Sequence, residues 1–415
     1  MSRRGVFVFS YPVLEDGAGL YFGDECHRHT IELCRPYLDE IAVVARRRRM
    51  ERVSGRRSLL SDLNARLQLE LPEFGLSGSP GWVNILRLAL GRDLKKALYR
   101  LLAEADFVYV DAPSIEAGLT ARAARRLARP LTMEMRGEVL LNRHYMQERF
   151  GRKGLAYVWL LQRLFGIVRK QAVAGLYLNR SLLQRYPVNG PYREAISDVR
   201  LPDQAPGEPK RFAAPARHFL YVGSLEKIKQ VDTLVKALGR IRDRLPADWT
   251  FQIVGDGPEM QPLIGLGERL GLSDHLFFPG RVEWGDPLFA LYRKSDLLLM
   301  ASRSEGASRT LLEAMAFGLP IISTEVGTAP ELLDPRALVK TGRETEYAQR
   351  LIAVAAAPEL LTDLSGQNWQ RSQEYRLPKL QGRREAFYAR AIELSSPGQK
   401  GSGLTGRRFV PAPRV

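Results

Sequence analysis

Residues 302–320 read SRSEGASRTLLEAMAFGLP, and they lie between two short apolar runs, DLLLM at 296–300 and PIIST at 320–324. Each run has the length of a buried strand, while Ala314, Met315 and Phe317 fit the buried side of a helix that begins near Arg309. Strand, small-residue loop, helix, strand is the repeating unit of a parallel sheet covered by helices. Working outward, the same alternation runs through FLYVG (219–223), TFQIVG (250–255), LFFPG (276–280) and ALVK (337–340). Helical spacing intervenes at 231–244, 259–270, 287–294 and 345–356. The first half repeats the scheme. GVFVFS (5–10), IAVVA (41–45), FVYVD (107–111), PLTMEM (130–135) and GLYLN (175–179) read as strands. Residues 24–37, 83–104, 115–128 and 154–173 read as helices.

This pattern predicts an α/β protein of two Rossmann-like parallel-sheet domains. The first spans 1–200 and the second 218–378. Between them LPDQAPGEPKRFAAPAR (201–217) holds four prolines and little periodicity, as a linker does. Residues 379–394 read as a terminal helix, and 395–415 as a disordered basic tail.

Among 415 residues, 45% are hydrophobic and 26% charged, which excludes wholesale disorder, collagen repeats and coiled coil. The longest apolar stretch, Leu155 to Val168, is broken by Gln162 and Arg163, short of the roughly 18–20 residues that span a bilayer. The apolar run near the N-terminus is too short for a signal peptide, and Cys26 and Cys34 form no disulfide framework or metal motif. A reducing cytoplasm is the expected compartment.

The net charge of +16 is uneven: residues 1–200 hold 33 Lys and Arg against 21 Asp and Glu. ARRRRMERVSGRR (45–57) is the densest cluster, followed by 92–100 and 122–129. Such runs form solvated helix faces and loops, or they meet an anionic partner: a lipid surface, a phosphate-bearing substrate or nucleic acid. With no zinc-finger, KH or RNP-type aromatic motif beside them, nucleic acid is not the expected partner.

Ligands of parallel α/β sheets collect where strands end and helices begin, because backbone N–H groups are free there. Three loops of the second half carry suitable residues. Gly223-Ser224-Leu225 leads to Lys229, a cation for a pyrophosphate. Val254-Gly255-Asp256-Gly257-Pro258 follows the next strand. In the third, Glu305 precedes Gly306-Ala307-Ser308, and Glu313 lies about one turn into the helix. Carboxylates accept hydrogen bonds from sugar hydroxyls. Alternatively, the helix is simply capped and amphipathic, with Glu305 a surface acid.

Taken in order, these motifs resemble the donor domain of the family 4 retaining glycosyltransferases, closely over 219–333 and loosely elsewhere. That resemblance implies the GT-B fold, two Rossmann-like domains facing each other across a cleft. It also implies transfer of a hexose, with retention, from a nucleotide-diphosphate sugar to a glycan or lipid-linked acceptor in cell-surface polysaccharide biosynthesis. The family's G-R-L-x-x-x-K-G turn is matched by Gly223 to Gln230, with Lys229 present and Ser224 where an arginine is usual. Its VGxGP strand end matches Val254 to Pro258, and its PG-x-V turn Pro279 to Val282, placing Arg281 beside the base. Its E-x7-E pair matches Glu305, on the transferred sugar, and Glu313, on the ribose. The backbone of Gly306, Ala307, Ser308, Arg309, Thr310 and Leu311 would hold sugar and phosphates. Gly327 to Glu331 (GTAPE) matches the following GGxPE turn. Gly17-Ala18-Gly19 resembles the acceptor-side loop near the donor phosphates, which adds Gly19 to the donor residues.

On the acceptor side, Arg136 and Glu138 follow the strand ending at Met135, either lining the pocket or forming a plain surface ion pair. His27, His29 and His144 are alternatives. No Asp-x-Asp occurs in the chain, so the scheme needs no metal and no cofactor, only the donor sugar nucleotide. Lys229 and helix dipoles would carry the phosphate charge. Two other readings stand beside it, a non-catalytic sugar-nucleotide-binding subunit and a nucleic-acid-binding protein. A lipid-linked acceptor would bring the enzyme to the inner face of an anionic membrane. Arg46 to Arg49, Lys95 and Lys96 are the candidate contacts, with Trp82 and 83–90 inserting.

Overall fold

A computed structural model of the chain describes residues 2–50, 58–71, 92–137, 143–199, 201, 205–306 and 308–395. Glu138, Ala307, Trp82 with 83–90, and the tail from 396 lie outside them. The first sheet contains β1 (Arg4–Val8), β2 (Val13–Asp16), β3 (Gly19–Tyr21), β4 (Glu40–Arg49), β5 (Ala65–Leu71), β6 (Phe107–Ala112), β7 (Leu131–Met135), β8 (Ala172–Tyr177) and β9 (Tyr192–Ala195). Its order is β3-β2-β4-β1-β6-β7-β8-β9, with β5 also on β4, and every pair is parallel except the β2–β3 hairpin.

Around this sheet lie α1 (Glu25–Cys34), α2 (Arg92–Ala103), α3 (Ile115–Arg126), α4 (Arg143–Gln171) and α5 (Arg180–Arg185). Side chains start three of them: Asp24, Ser114 and Asn179 accept from backbone N–H groups of the first turns of α1, α3 and α5.

The second sheet is wholly parallel. It comprises β10 (His218–Val222), β11 (Thr250–Val254), β12 (Leu276–Gly280), β13 (Leu297–Met300), β14 (Ile321–Thr324) and β15 (Leu338–Val339), in the order β12-β11-β10-β13-β14-β15. Its helices are α6 (Val231–Ile241), α7 (Met260–Arg269), α8 (Asp286–Lys294), α9 (Arg309–Ala316), α10 (Ala329–Leu332), α11 (Glu344–Ala355) and α12 (Pro358–Ser372).

Both sheets are covered on both faces, and the alternation of strand side chains shows it. Val6, Val8, Val108 and Val110 pack on one side of the first sheet, while Phe7, Phe9, Phe107 and Tyr109 pack on the other. In the second, Leu297 and Leu299 face one layer and Leu298 and Met300 the opposite one.

The structure departs from the sequence reading at the arginine run. The arginine run is neither a helix face nor a loop at Arg46 to Arg49. It extends β4, because β2 pairs with Arg47, Arg48 and Arg49 in parallel register. Arg47 reaches Glu15 at 3.3 Å and Glu70 at 2.7 Å, Arg49 reaches Glu15 at 2.9 Å, and Arg46 donates to the Ser10 carbonyl. Much of this charge is therefore neutralised within the fold.

The terminal helix, α13 (Leu377–Ser395), returns to the first sheet. Leu380, Phe387, Tyr388, Ala391 and Ile392 complete the layer beside Phe7 and Tyr109. Arg384 Nη2 donates to Glu134 Oε1 at 2.8 Å and Tyr388 OH donates to Oε2 at 2.6 Å, all three groups being buried. Burial opposes ionisation of Glu134, but Arg136 and Arg384 prevail and hold its carboxyl down at about 2.

Removing one member of a buried ion pair strands the other. Arg384→Met should lower unfolding stability by about 3 kcal/mol, read as a fall in the urea midpoint. Because the Glu134 pKa is lowered on folding, its contribution is complete above about pH 4.5 and is lost as pH falls toward 2. An unchanged midpoint at pH 7 would refute this role for the pair.

Candidate active site

At the carboxyl ends of β10, β11 and β13, backbone hydrogen bonds draw three loops together. Gly223 N–H donates to Val254 O, Leu225 N–H to Asp256 O, and Arg303 N–H to Ile228 O, at 3.0, 2.8 and 2.8 Å. The fit leaves no room for a side chain at Gly255, whose φ is +142° and where a Cβ would strike the Gly223 carbonyl oxygen. The hydroxyl of buried Tyr221 donates to Ser224 O at 2.9 Å and fixes the first loop from beneath.

On this platform Lys229 Nζ donates to Glu305 Oε1 at 2.7 Å, and Ser302 Oγ donates to the same oxygen at 2.6 Å. Ser302 is itself fixed, since its carbonyl accepts from Thr324 Oγ1 at 2.6 Å. One carboxylate oxygen of Glu305 is thus occupied, and Oε2 accepts nothing from the described residues. Ser308 is the N-cap of α9, and no side chain caps that helix. The first-turn N–H groups of Arg309, Thr310 and Leu311 consequently have no intrahelical acceptors, while the Leu311 side chain belongs to the core.

Glu313 stands apart from this pair. Its Oε1 accepts from Trp284 Nε1 and its Oε2 from Tyr292 OH, both at 3.0 Å. Burial raises its pKa, against the opposing effect of these two donors and Arg309. Tyr292 is buried, but the Trp284 side chain is 60% exposed, so one partner of Glu313 is a surface group. Arg281 lies nearby in sequence, exposed on the loop after β12. Gly19 opens β3, and a Cβ there would meet the Leu59 side chain.

In the first unit, Arg136 is not a surface ion pair. Its guanidinium lies 3.2 Å from Asp111, 3.4 Å from Glu134 and 3.5 Å from Asp198, and donates to Thr30 Oγ1 at 3.2 Å. Asp111 also takes a 2.6 Å contact from His27 Nε2 and hydrogen bonds from Ser10 and Tyr109 hydroxyls. Burial works against Asp111 as an anion, but His27 and Arg136 hold its pKa well below the usual carboxylate range. His29 lies 3.4 Å from Glu32 instead. Sequence reasoning named Arg136 and His27 but missed Asp111 and Glu134. Their signal was a carboxylate inside an otherwise apolar strand, FVYVD and LTMEM.

The two units meet at this point. A Cβ on Gly306 would lie 3.6 Å from Arg136 O and 3.7 Å from Gly137 Cα. Below, Glu331 accepts from the N–H groups of Arg180 and Ser181 at the start of α5, at 3.1 and 2.5 Å.

Two doubly covered parallel sheets, apposed at a glycine loop and crossed by a returning terminal helix, form a GT-B architecture. Within it, residues 216–357 match the family model described as Glycosyl transferases group 1. N-acetyl-alpha-D-glucosaminyl L-malate synthase of Bacillus anthracis is 31% identical over 174 residues, 41% of this chain and 44% of that protein. A GDP-mannose-dependent alpha-(1-6)-phosphatidylinositol monomannoside mannosyltransferase of Mycobacterium tuberculosis is 35% identical over 144 residues, 32% of this chain and 36% of that protein. The chain thus spans less than half the length of these curated relatives. Among solved structures, Anabaena Alr3699/HepE in complex with UDP superposes with a TM-score of 0.63 at 16% identity, covering 93% of this chain and 100% of that one. Sucrose-phosphate synthase from Thermosynechococcus elongatus gives 0.64 at 15% identity, covering 95% and 100%.

If Trp284 holds Glu313 as described, Trp284→Phe removes one donor from a mostly buried acceptor. Stability should fall by about 1 kcal/mol, seen as a lower urea midpoint with an unchanged slope. A midpoint equal to that of the parent would count against the contact.

Proposed function

We propose that the chain is a glycosyltransferase of the family 4 type. It moves a hexose, with retention, from a nucleotide-diphosphate sugar to a glycan or lipid-linked acceptor in cell-surface polysaccharide biosynthesis. The observation that carries this reading is the Lys229–Glu305 pair, held by Ser302 at converging strand ends, within the matched stretch and beside Gly306 at the junction of the units. Support also comes from solved relatives in complex with UDP and UDP-glucose, and from relatives that are named as sugar transferases.

Lys229 has three N–H donors and spends one on Glu305, so two remain for the oxygens of a departing diphosphate. The N–H groups at the start of α9 add partial positive charge to the same end. Oε2 of Glu305 is placed to accept a hydrogen bond from a hydroxyl of the transferred sugar. The nucleotide occupies the side of Arg281 and Glu313, and its ribose takes the place of the exposed Trp284 donor. Acceptor and leaving phosphate stay on one face, with a phosphate oxygen taking the acceptor proton. Arg136 acts through its backbone and by ordering Asp111 and His27, because internal carboxylates engage its guanidinium. With no Asp-x-Asp motif, the charge is met by Lys229 and helix ends rather than a bridging metal. If the acceptor is lipid-linked, exposed Lys95 and Lys96 suit an anionic membrane face.

Glu305→Gln keeps the shape but weakens the acceptor, so turnover should fall about tenfold or more, a loss of roughly 1.5–3 kcal/mol. Lys229→Ala should lower turnover severely, whereas EDTA should leave most of it. Release of UDP or GDP from a panel of sugar nucleotides measures all three. Wild-type rates in both variants, or strict dependence on a divalent metal, would overturn the scheme.

A further inference from the structure

Away from the cleft, the first unit encloses a cavity of about 530 Å³ between β1, β4 and β5 and helices α2, α3 and α4. That is within the size range of small-molecule sites and far above the voids of ordinary close-packed cores. Its walls are apolar, with Val8, Leu71, Leu98 and Ile167 among them. Its outer lining is cationic: Lys95, Arg122, Arg125 and Arg126 are all exposed. Among the described residues none of these four pairs with a carboxylate, and Arg126 donates only to the neutral Tyr99 hydroxyl at 3.0 Å.

A second observation marks the interior. Glu116 lines the cavity from the first turn of α3, is buried, and leaves Oε1 without a hydrogen-bond partner, with Arg46 Nε 3.5 Å away. The Arg46 guanidinium balances the Glu116 charge there. Apolar walls and a cationic mouth describe the complement of a chain-bearing anion.

We propose that this cavity binds the apolar chain of a phosphate-bearing lipid, whose head lies among Lys95, Arg122 and Arg125. The site is separate from the donor loops and rests on no reading of them. Two sources share the chemistry, a membrane phospholipid and a soluble or substrate lipid phosphate.

Titration calorimetry with dodecyl phosphate, below its micelle concentration, tests the proposal. Saturable micromolar binding is expected. Dodecylphosphocholine, which has the same chain and a neutralised head, should bind roughly tenfold more weakly, and inorganic phosphate should give no heat. Ala123→Phe, which fills the cavity, should abolish binding. Because that variant places bulk in a core, Lys95→Ser/Arg122→Ser/Arg125→Ser serves as an independent arm. It alters only exposed groups and should bring dodecyl phosphate down to the affinity of the phosphocholine. Displacement of the protein from phosphatidylglycerol vesicles by dodecyl phosphate assigns a membrane lipid, and binding without displacement assigns a free lipid phosphate. Absence of saturable binding, or binding unchanged in both variants, overturns the proposal, whatever UDP does at the donor loops.

Discussion

The architecture hangs on a carboxylate buried in the middle of a strand. Glu134 is inaccessible to water and draws Arg136 from its own loop, Tyr109 from the next strand, and Arg384 and Tyr388 from the last helix. An ionised carboxylate at such depth is tolerable only while these donors surround it. The terminal helix therefore has a defined seat on the first sheet, although the chain reaches it only after building the whole second sheet. The same cluster positions Arg136 and Asp111 at the strand ends that face the Gly306 loop. Packing and site geometry share one set of bonds.

The loops around Lys229 and Glu305 obey a different constraint, which is steric. Gly255 exists because β10 and β11 end in backbone contact. Gly327, at φ +58°, exists because a Cβ there would press on Gly306 O at 2.6 Å and Glu305 Cβ at 2.7 Å. Removing side chains brings backbone amides and the Lys229–Glu305 pair within one small region. Backbone hydrogen bonds fix the loops around Lys229 and Glu305, whereas one partner of Glu313 is an exposed indole.

Much of this was legible because it is local. Short apolar runs separated by helical spacing gave most strands of both sheets, and glycine marked the end of β10 and glycine with proline the ends of β11 and β12. What escaped has a nonlocal cause. The β2–β3 hairpin and β9 are short edge elements without strong periodicity, and β5 was missed although ARLQLEL alternates along its length. The arginines after Ala45 read as solvent-facing, since the pairing that holds them in β4 comes from residues about thirty positions away. Asp111 and Glu134 were missed because their partners on α1 and α13 are far away in sequence. Glu305 and Glu313 were both named through the family resemblance, whereas the engagement of Glu313 by Trp284 and Tyr292 depends on how α8 packs against α9, which a motif does not record.

Glu331 shows how the two units are held. Its carboxylate sits on the first N–H groups of α5, a contact of charge with a helix end, whereas Tyr375 packs against an apolar cluster of each unit. Parting the units at this contact exchanges hydrogen bonds with protein for hydrogen bonds with water and uncovers little oily surface. Ions in solution weaken this contact, so its share of the hold between the units is electrostatic and is tuned by ionic strength more than by temperature.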